Sequence, residues 1–148
     1  MIPLKSFDEY IERGIAKKTT PDPNRSKSLE KESQKRMAFL NSLIKSMGIT
    51  EGNSNYIVEN SYDSVMEFVR SKMYGAGLTS SGEGAHEAEV AYTKKLGLSE
   101  SEMRFLNEMR YRRNGILYYG KDCSAEYAKE VYDFIKLLYE RFKSKLSL

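Results

Sequence analysis

The sequence predicts an all-α protein, an up-and-down bundle of four to five helices with a short helix in front. Three observations predict it. Apolar residues recur at intervals of three and four, the period of a helix with one buried face. No stretch alternates apolar and polar residues as a half-buried strand would. Glycines and prolines break the chain at helix-length intervals.

A short leading helix is expected from about Ser6 to Lys18, because Ser6 and Glu9 have capping-box spacing, and Pro21 and Pro23 break the chain after it. The first main helix, about Ser26 to Met47, places Met37, Leu40, Ile44 and Met47 on one stripe and ends at Gly48. The second, about Asn55 to Tyr74, does the same with Val58, Tyr62, Val65, Val69 and Met73. A loop containing Gly75, Gly77, Gly82 and Gly84 follows, then a shorter helix from about Ala85 to Leu96 that stops at Gly97. Ser99 with Glu102 forms a second capping box and opens a helix continuing to about Tyr118, closed by Gly120. Ser124 starts the last helix, striped by Tyr127, Val131, Ile135, Leu138 and Phe142. Residues 1–24 therefore read as an N-terminal arm and 25–148 as the bundle, with the Ala85 to Leu96 helix lying across one end. Repeats and low-complexity tracts are absent.

A chain of 148 residues is long enough to bury a core without staples. The single cysteine, Cys123, has no partner for a disulfide, Met1 to Tyr10 does not read as a leader, and no run of some twenty apolar residues occurs. The expected setting is cytoplasmic, with no membrane contact. With 24 Lys plus Arg against 21 Asp plus Glu, the net charge of +3 does not by itself indicate nucleic acid, so any such binding has to rest on local clustering.

The clustering is in the fourth main helix. On a wheel of about 100° per residue, Met103, Leu106, Met109, Ile116 and Leu117 share a face, and Arg110 and Arg113 fall inside its arc. Arginine is rarely buried without a partner, so this placement predicts a carboxylate beneath it or a groove shared with a second molecule. Asn114 and Tyr118 continue from Arg110 in steps of four along the edge of the stripe. The alternative is a structural ion pair with ordinary snorkelling.

The run Arg110-Tyr111-Arg112-Arg113-Asn114-Gly115-Ile116-Leu117-Tyr118-Tyr119-Gly120, preceded by Gly84-Ala85-His86-Glu87-Ala88-Glu89, resembles an archaeal branch of the HEPN superfamily, over roughly Arg25 to Leu146. The resemblance implies a bundle of four or five helices that dimerises with its motif at a subunit groove. It also implies membership among metal-independent RNases or the toxin partners of minimal nucleotidyltransferases in toxin–antitoxin pairs. The family motif is an Arg, usually followed by a polar residue, with a His four to six positions after the Arg. Arg113 and Asn114 match its beginning, and Tyr118 stands where the shortest spacing puts the His. A phenol with a pKa near 10 is a poor general base beside an imidazole near 6.5. Positions five apart also lie about 140° from each other on a straight helix, so Arg113 and Tyr118 converge only if the helix distorts near Gly115.

His86 is the only histidine and opens a helix after the glycine loop, where backbone amides attract anions and oppose its protonation. Packing or capping of its own helix is the alternative role. His86-Glu87 is followed by Val90 where a zinc motif needs a second histidine, and the glycine loop lacks the Gly-Lys-Ser/Thr ending of a phosphate loop, so neither a metal nor a cofactor is implied. Glu59, Asp63 and Glu67 step by four along the second main helix, and the resemblance places that helix near Arg113. Asp63 and Glu59 are therefore the candidate carboxylate partners, with solvated helix charges as the alternative.

Three functions follow. The expected one is a non-catalytic helical homodimer that binds a nucleotide, an RNA phosphate through Arg110, Arg112 and Arg113, or a partner such as a minimal nucleotidyltransferase. The second is a metal-independent endoribonuclease of toxin type, with Arg113, Asn114, Tyr118 and His86 as its catalytic candidates and Arg113 stabilising the transition state. The third is a purely structural dimer.

Overall fold

The computed structural model describes residues 3–146. It contains six helices: α1 (Phe7–Glu12), α2 (Pro23–Met47), α3 (Ser54–Gly75), α4 (Ala85–Tyr92), α5 (Glu100–Tyr119) and α6 (Ala125–Leu146). A 3-10 turn, Thr93–Leu96, extends α4, and two three-residue strands, β1 (Ala16–Lys18) and β2 (Leu78–Ser80), pair antiparallel. The protein is an all-α bundle with this one small sheet, and no described helix is long and apolar enough to cross a membrane.

The chain's punctuation has the expected physical causes. Ser99 Oγ accepts from the Glu102 backbone N–H while the Glu102 side chain accepts from the Ser99 N–H, the reciprocal capping box. Asp22 caps α2, whose first residue is Pro23, and Ser124 Oγ accepts from the Tyr127 N–H to start α6. Gly120 ends α5 at φ 63°, a left-handed conformation that side-chain-bearing residues avoid, and its N–H donates to Gly115 O.

The leading helix is shorter than the sequence suggests. Ser6 caps it, but it stops at Glu12, and Ala16 to Lys18 leave the helix to pair with Leu78 to Ser80. Three-residue strands are too short to show a period, so the sequence gives no signal for them. The arm is then held against the end of α3: Thr19 N–H donates to Gly77 O and Asp22 N–H to Tyr74 O. A side chain at Gly77 would place its Cβ 2.6 Å from Thr19 O, so only glycine admits this approach. Phe7 of α1 meets Tyr92 of α4 edge to face at 5.0 Å, and Phe7, Tyr10 and Ala16 join the main core.

α3 is the central helix, buried on most of its circumference. It meets α2 through serines: Ser33 Oγ donates to Ser64 O at 2.6 Å, Ser64 Oγ to Ser33 O at 3.3 Å, and Ser71 Oγ to Ser26 O at 2.7 Å. Side chains this small let the two backbones come close, and their hydroxyls satisfy one another across the contact. On the other side α6 packs Phe142 flat on Phe68 at 4.7 Å, and Phe105 of α5 meets Phe134 edge-on at 4.7 Å. The stripes of α3 and α6 are buried throughout. Met47 and Leu117, assigned to buried stripes by period, are instead exposed, because each sits in the last turn of its helix beyond the reach of a neighbour.

Glu102 links the start of α5 to the end of α6. Burial alone would raise its carboxyl, but hydrogen bonds from the Ser99 N–H and from Arg141, together with the Arg141 charge, outweigh this and hold it below its ordinary value of 4.5. A carboxyl depressed in the fold contributes stability above the unfolded value and loses it as pH falls through the folded one. The stability gap between wild type and Glu102→Gln should therefore be widest near neutrality and close as pH is lowered below 4.5 in urea titrations. A gap that does not change with pH would refute the assignment.

Candidate functional site

α5 lies against α3 and α4, and its arginines sit along that seam. Arg110 is nearly buried, its side chain 11% exposed; it pairs with Glu87 of α4 at 2.8 Å and donates from Nε to Asn107 Oδ1 at 2.9 Å. Arg113 reaches α3, where its Nε lies 2.9 Å from Asp63 Oδ1 with the N–H turned off the oxygen. Its guanidinium also stands 5.6 Å from the centre of the Tyr62 ring. Arg112 faces outward, pairs with Glu108 one turn back at 3.1 Å and covers Tyr127 at 4.2 Å.

The carboxylates divide among different partners. Glu67 is held by Arg36 of α2 at 2.5 Å, and the same guanidinium donates to Asn60 Oδ1 at 2.9 Å. Glu59 makes no ion pair among the described residues; burial raises its carboxyl, Arg113 lowers it and Asp63 raises it again, for a net upward shift. Glu87, the partner of Arg110, is not among the carboxylates singled out from the sequence. The signal for it was present in its position at the start of a helix following the glycine loop, but nothing local states that this helix crosses α5.

His86 makes no hydrogen bond or ion pair with Arg110, Arg113, Asn114 or Tyr118 among the described residues. Its ring is largely exposed, with Nδ1 3.3 Å from Glu89 Oε1, while the buried Glu89 carboxylate is also held by Arg70 of α3 at 2.6 Å. Tyr62 is buried between these groups. Burial pushes its phenol up, helped by Glu89 and opposed by Arg110, Arg70 and Arg113, and its hydroxyl has no hydrogen-bond partner among the described residues. It stays protonated, as does the buried Cys123, whose thiol burial also raises, so neither is a nucleophile at neutral pH.

Arg113 and Tyr118 are not brought together. α5 runs unbroken from Glu100 to Tyr119, through Gly115, so the two point about 140° apart; Arg113 faces Asp63 while Tyr118 is 73% exposed. Asn114 is half-buried at the turn between them. Tyr111, Leu117 and Tyr119 of the same helix are also exposed, Tyr119 at 78%. Among the described residues no cluster of His, Cys, Asp and Glu is gathered that could hold a metal ion.

Comparison of the chain with protein-family models, with curated proteins and with solved structures finds no match. The site is thus defined by its own geometry. It is a seam of interhelical ion pairs ending in an exposed tyrosine face.

The pairs differ in burial, and their energies should follow. Replacing Glu89 by Gln leaves Arg70 without its countercharge in a site that is mostly dry, an expected cost of about 2 kcal/mol once the partial exposure of Arg70 is allowed for. Asp133→Asn, which breaks the exposed Lys129–Asp133 pair, should cost less than about 0.5 kcal/mol. Chemical denaturation of both variants measures the difference, and equal costs would refute the ranking.

Proposed function

We propose that this chain is a non-catalytic helical module that self-associates as a homodimer through the C-terminal turns of α5. The observation that carries this reading is the exposed group Tyr111, Leu117, Tyr118 and Tyr119. Tyr111 and Tyr118, seven positions apart, share one helix face, and Arg112 and Tyr119 share the next. Scattered exposed apolar residues are ordinary, but large ones concentrated in the last turns of one helix are typical of an interface, where tyrosine supplies contact area at little entropic cost. The resemblance to HEPN proteins, which place their motif at a subunit groove, supports the same surface.

A second reading is binding of RNA or nucleotide at this face, with bases stacked on the tyrosines and phosphate held by Arg112 and Arg113. The interleaving of aromatic and basic residues favours it. Against it, Arg110, Arg112 and Arg113 each already face a carboxylate, in Glu87, Glu108 and Asp63, so the local field is close to neutral. A minimal nucleotidyltransferase seated on the same tyrosines is the partner the resemblance implies.

Light scattering at micromolar concentration should show a dimer, and the double variant Tyr118→Glu, Tyr119→Glu should be a folded monomer with an unchanged circular dichroism spectrum. A monomeric wild type overturns the dimer. Tight binding of single-stranded RNA that weakens steeply with salt would establish the second reading in its place.

Catalysis is expected to be absent. The protein should not cleave RNA in the presence of EDTA, and Tyr118→His should not create cleavage, because the restored imidazole would project away from an Arg113 already held by Asp63. Metal-independent cleavage by either protein, lost in Arg113→Ala, would overturn this.

A further inference from the structure

A second site lies on the opposite end of α5 from the tyrosine face and does not depend on the reading above. The segment Leu4–Asp8, the end of α4 with its 3-10 turn and the first half of α5 line an open cleft of about 670 Å³, within the range of about 300–1,000 Å³ typical of small-molecule sites. Its apolar lining includes Phe7, Ala91 and Met103, all buried members of the core. One polar side chain stands among them. Asn107 is 3% exposed, and its orientation is fixed because Oδ1 accepts from Arg110 Nε. Asn107 lines the cleft, and with Oδ1 engaged by Arg110 its Nδ2 amide is the group left to donate to a ligand.

The rim is basic. Lys94 and Lys95 are neutralised by Glu100 at 3.0 Å and Asp8 at 3.5 Å. Lys5 and Arg104 also line the cleft, and neither makes an ion pair among the described residues. The cleft thus combines an apolar lining, one oriented amide donor and two uncompensated cations. We propose that it binds a small amphiphilic anion, an apolar body carrying a carboxylate or phosphate monoester, with the body against Phe7 and Met103 and the anionic head held by Lys5, Arg104 and the Asn107 amide. Charge-assisted hydrogen bonds to such a head are the stronger kind, and a body excluded from water adds the apolar contribution that a bare anion lacks.

The test uses 1-naphthyl phosphate, decanoate, inorganic phosphate and uncharged 1-naphthalenemethanol as probes of the full chain, with methionine methyl groups labelled for NMR. Naphthyl phosphate or decanoate should bind in the micromolar to low-millimolar range and shift the Met103 methyl signal while leaving that of the exposed Met47 in place. The double variant Lys5→Glu, Arg104→Glu changes only rim positions, and a thermal melt checks that it folds. It should weaken binding at least tenfold. Asn107→Leu, compared at equal folded fraction, should weaken the phosphate probe more than the uncharged one. No binding of either amphiphile below 5 mM (roughly 3 kcal/mol) overturns the proposal. So does inorganic phosphate binding as tightly as naphthyl phosphate, a shift at Met47 rather than Met103, or affinity unchanged in the double variant.

Discussion

The structure depends on how the charges of one buried helix are answered. α3 is surrounded by its neighbours, yet it carries Asp63, Glu67 and Arg70 along its length. An ionised group taken out of water is tolerable only with a partner in place, so each of these demands an opposite charge from the helix packed against it. Arg36 of α2 answers Glu67, Glu89 of α4 answers Arg70, and Arg113 of α5 answers Asp63. Three neighbours are therefore indexed to three turns of α3. Apolar stripes alone tolerate sliding by a turn; these pairs do not.

The same pairing determines what the arginine-rich turn of α5 can do. Arginines read in isolation suggest an anion site, but inside the fold Arg110 is held by Glu87 and Asn107, and the charge of Arg113 is paired with Asp63. What remains on the outside is the apolar face of Tyr111, Tyr118 and Tyr119. At the other end of the helix the order is reversed, since Lys5 and Arg104 are left without carboxylates beside an apolar cleft. One helix thus presents a neutral, aromatic end and a basic, concave end.

Much of the frame was legible because it is written locally. The capping box at Ser99 and Glu102, the Ser6 cap, the helix-ending glycines and the stripes of Val58 to Met73 and Tyr127 to Phe142 each follow from a few neighbouring residues and the helical period. The misreadings have a common cause. Extending the first helix to Lys18, and burying Met47 and Leu117, carried a local period past the point where a neighbouring element stops providing cover. The strand pair was invisible because its stability comes from the partner strand and from the close approach at Gly77, not from any pattern within three residues.

The site divides the same way. The sequence by itself determined that the protein is helical, where most of its helices begin and end, which faces they bury, and that two arginines fall on a buried arc and require partners. Only the tertiary structure decided that Arg110 meets Glu87 rather than a residue of α3, that Asp63 and not Glu59 meets Arg113, and that Asn107 lines a cleft beside the N-terminal segment. Periodicity and capping act over one or two turns of a single helix. Which carboxylate meets which arginine depends on the depth and register of helix contacts, set here by the small serines between α2 and α3 and by packing between residues distant in the chain.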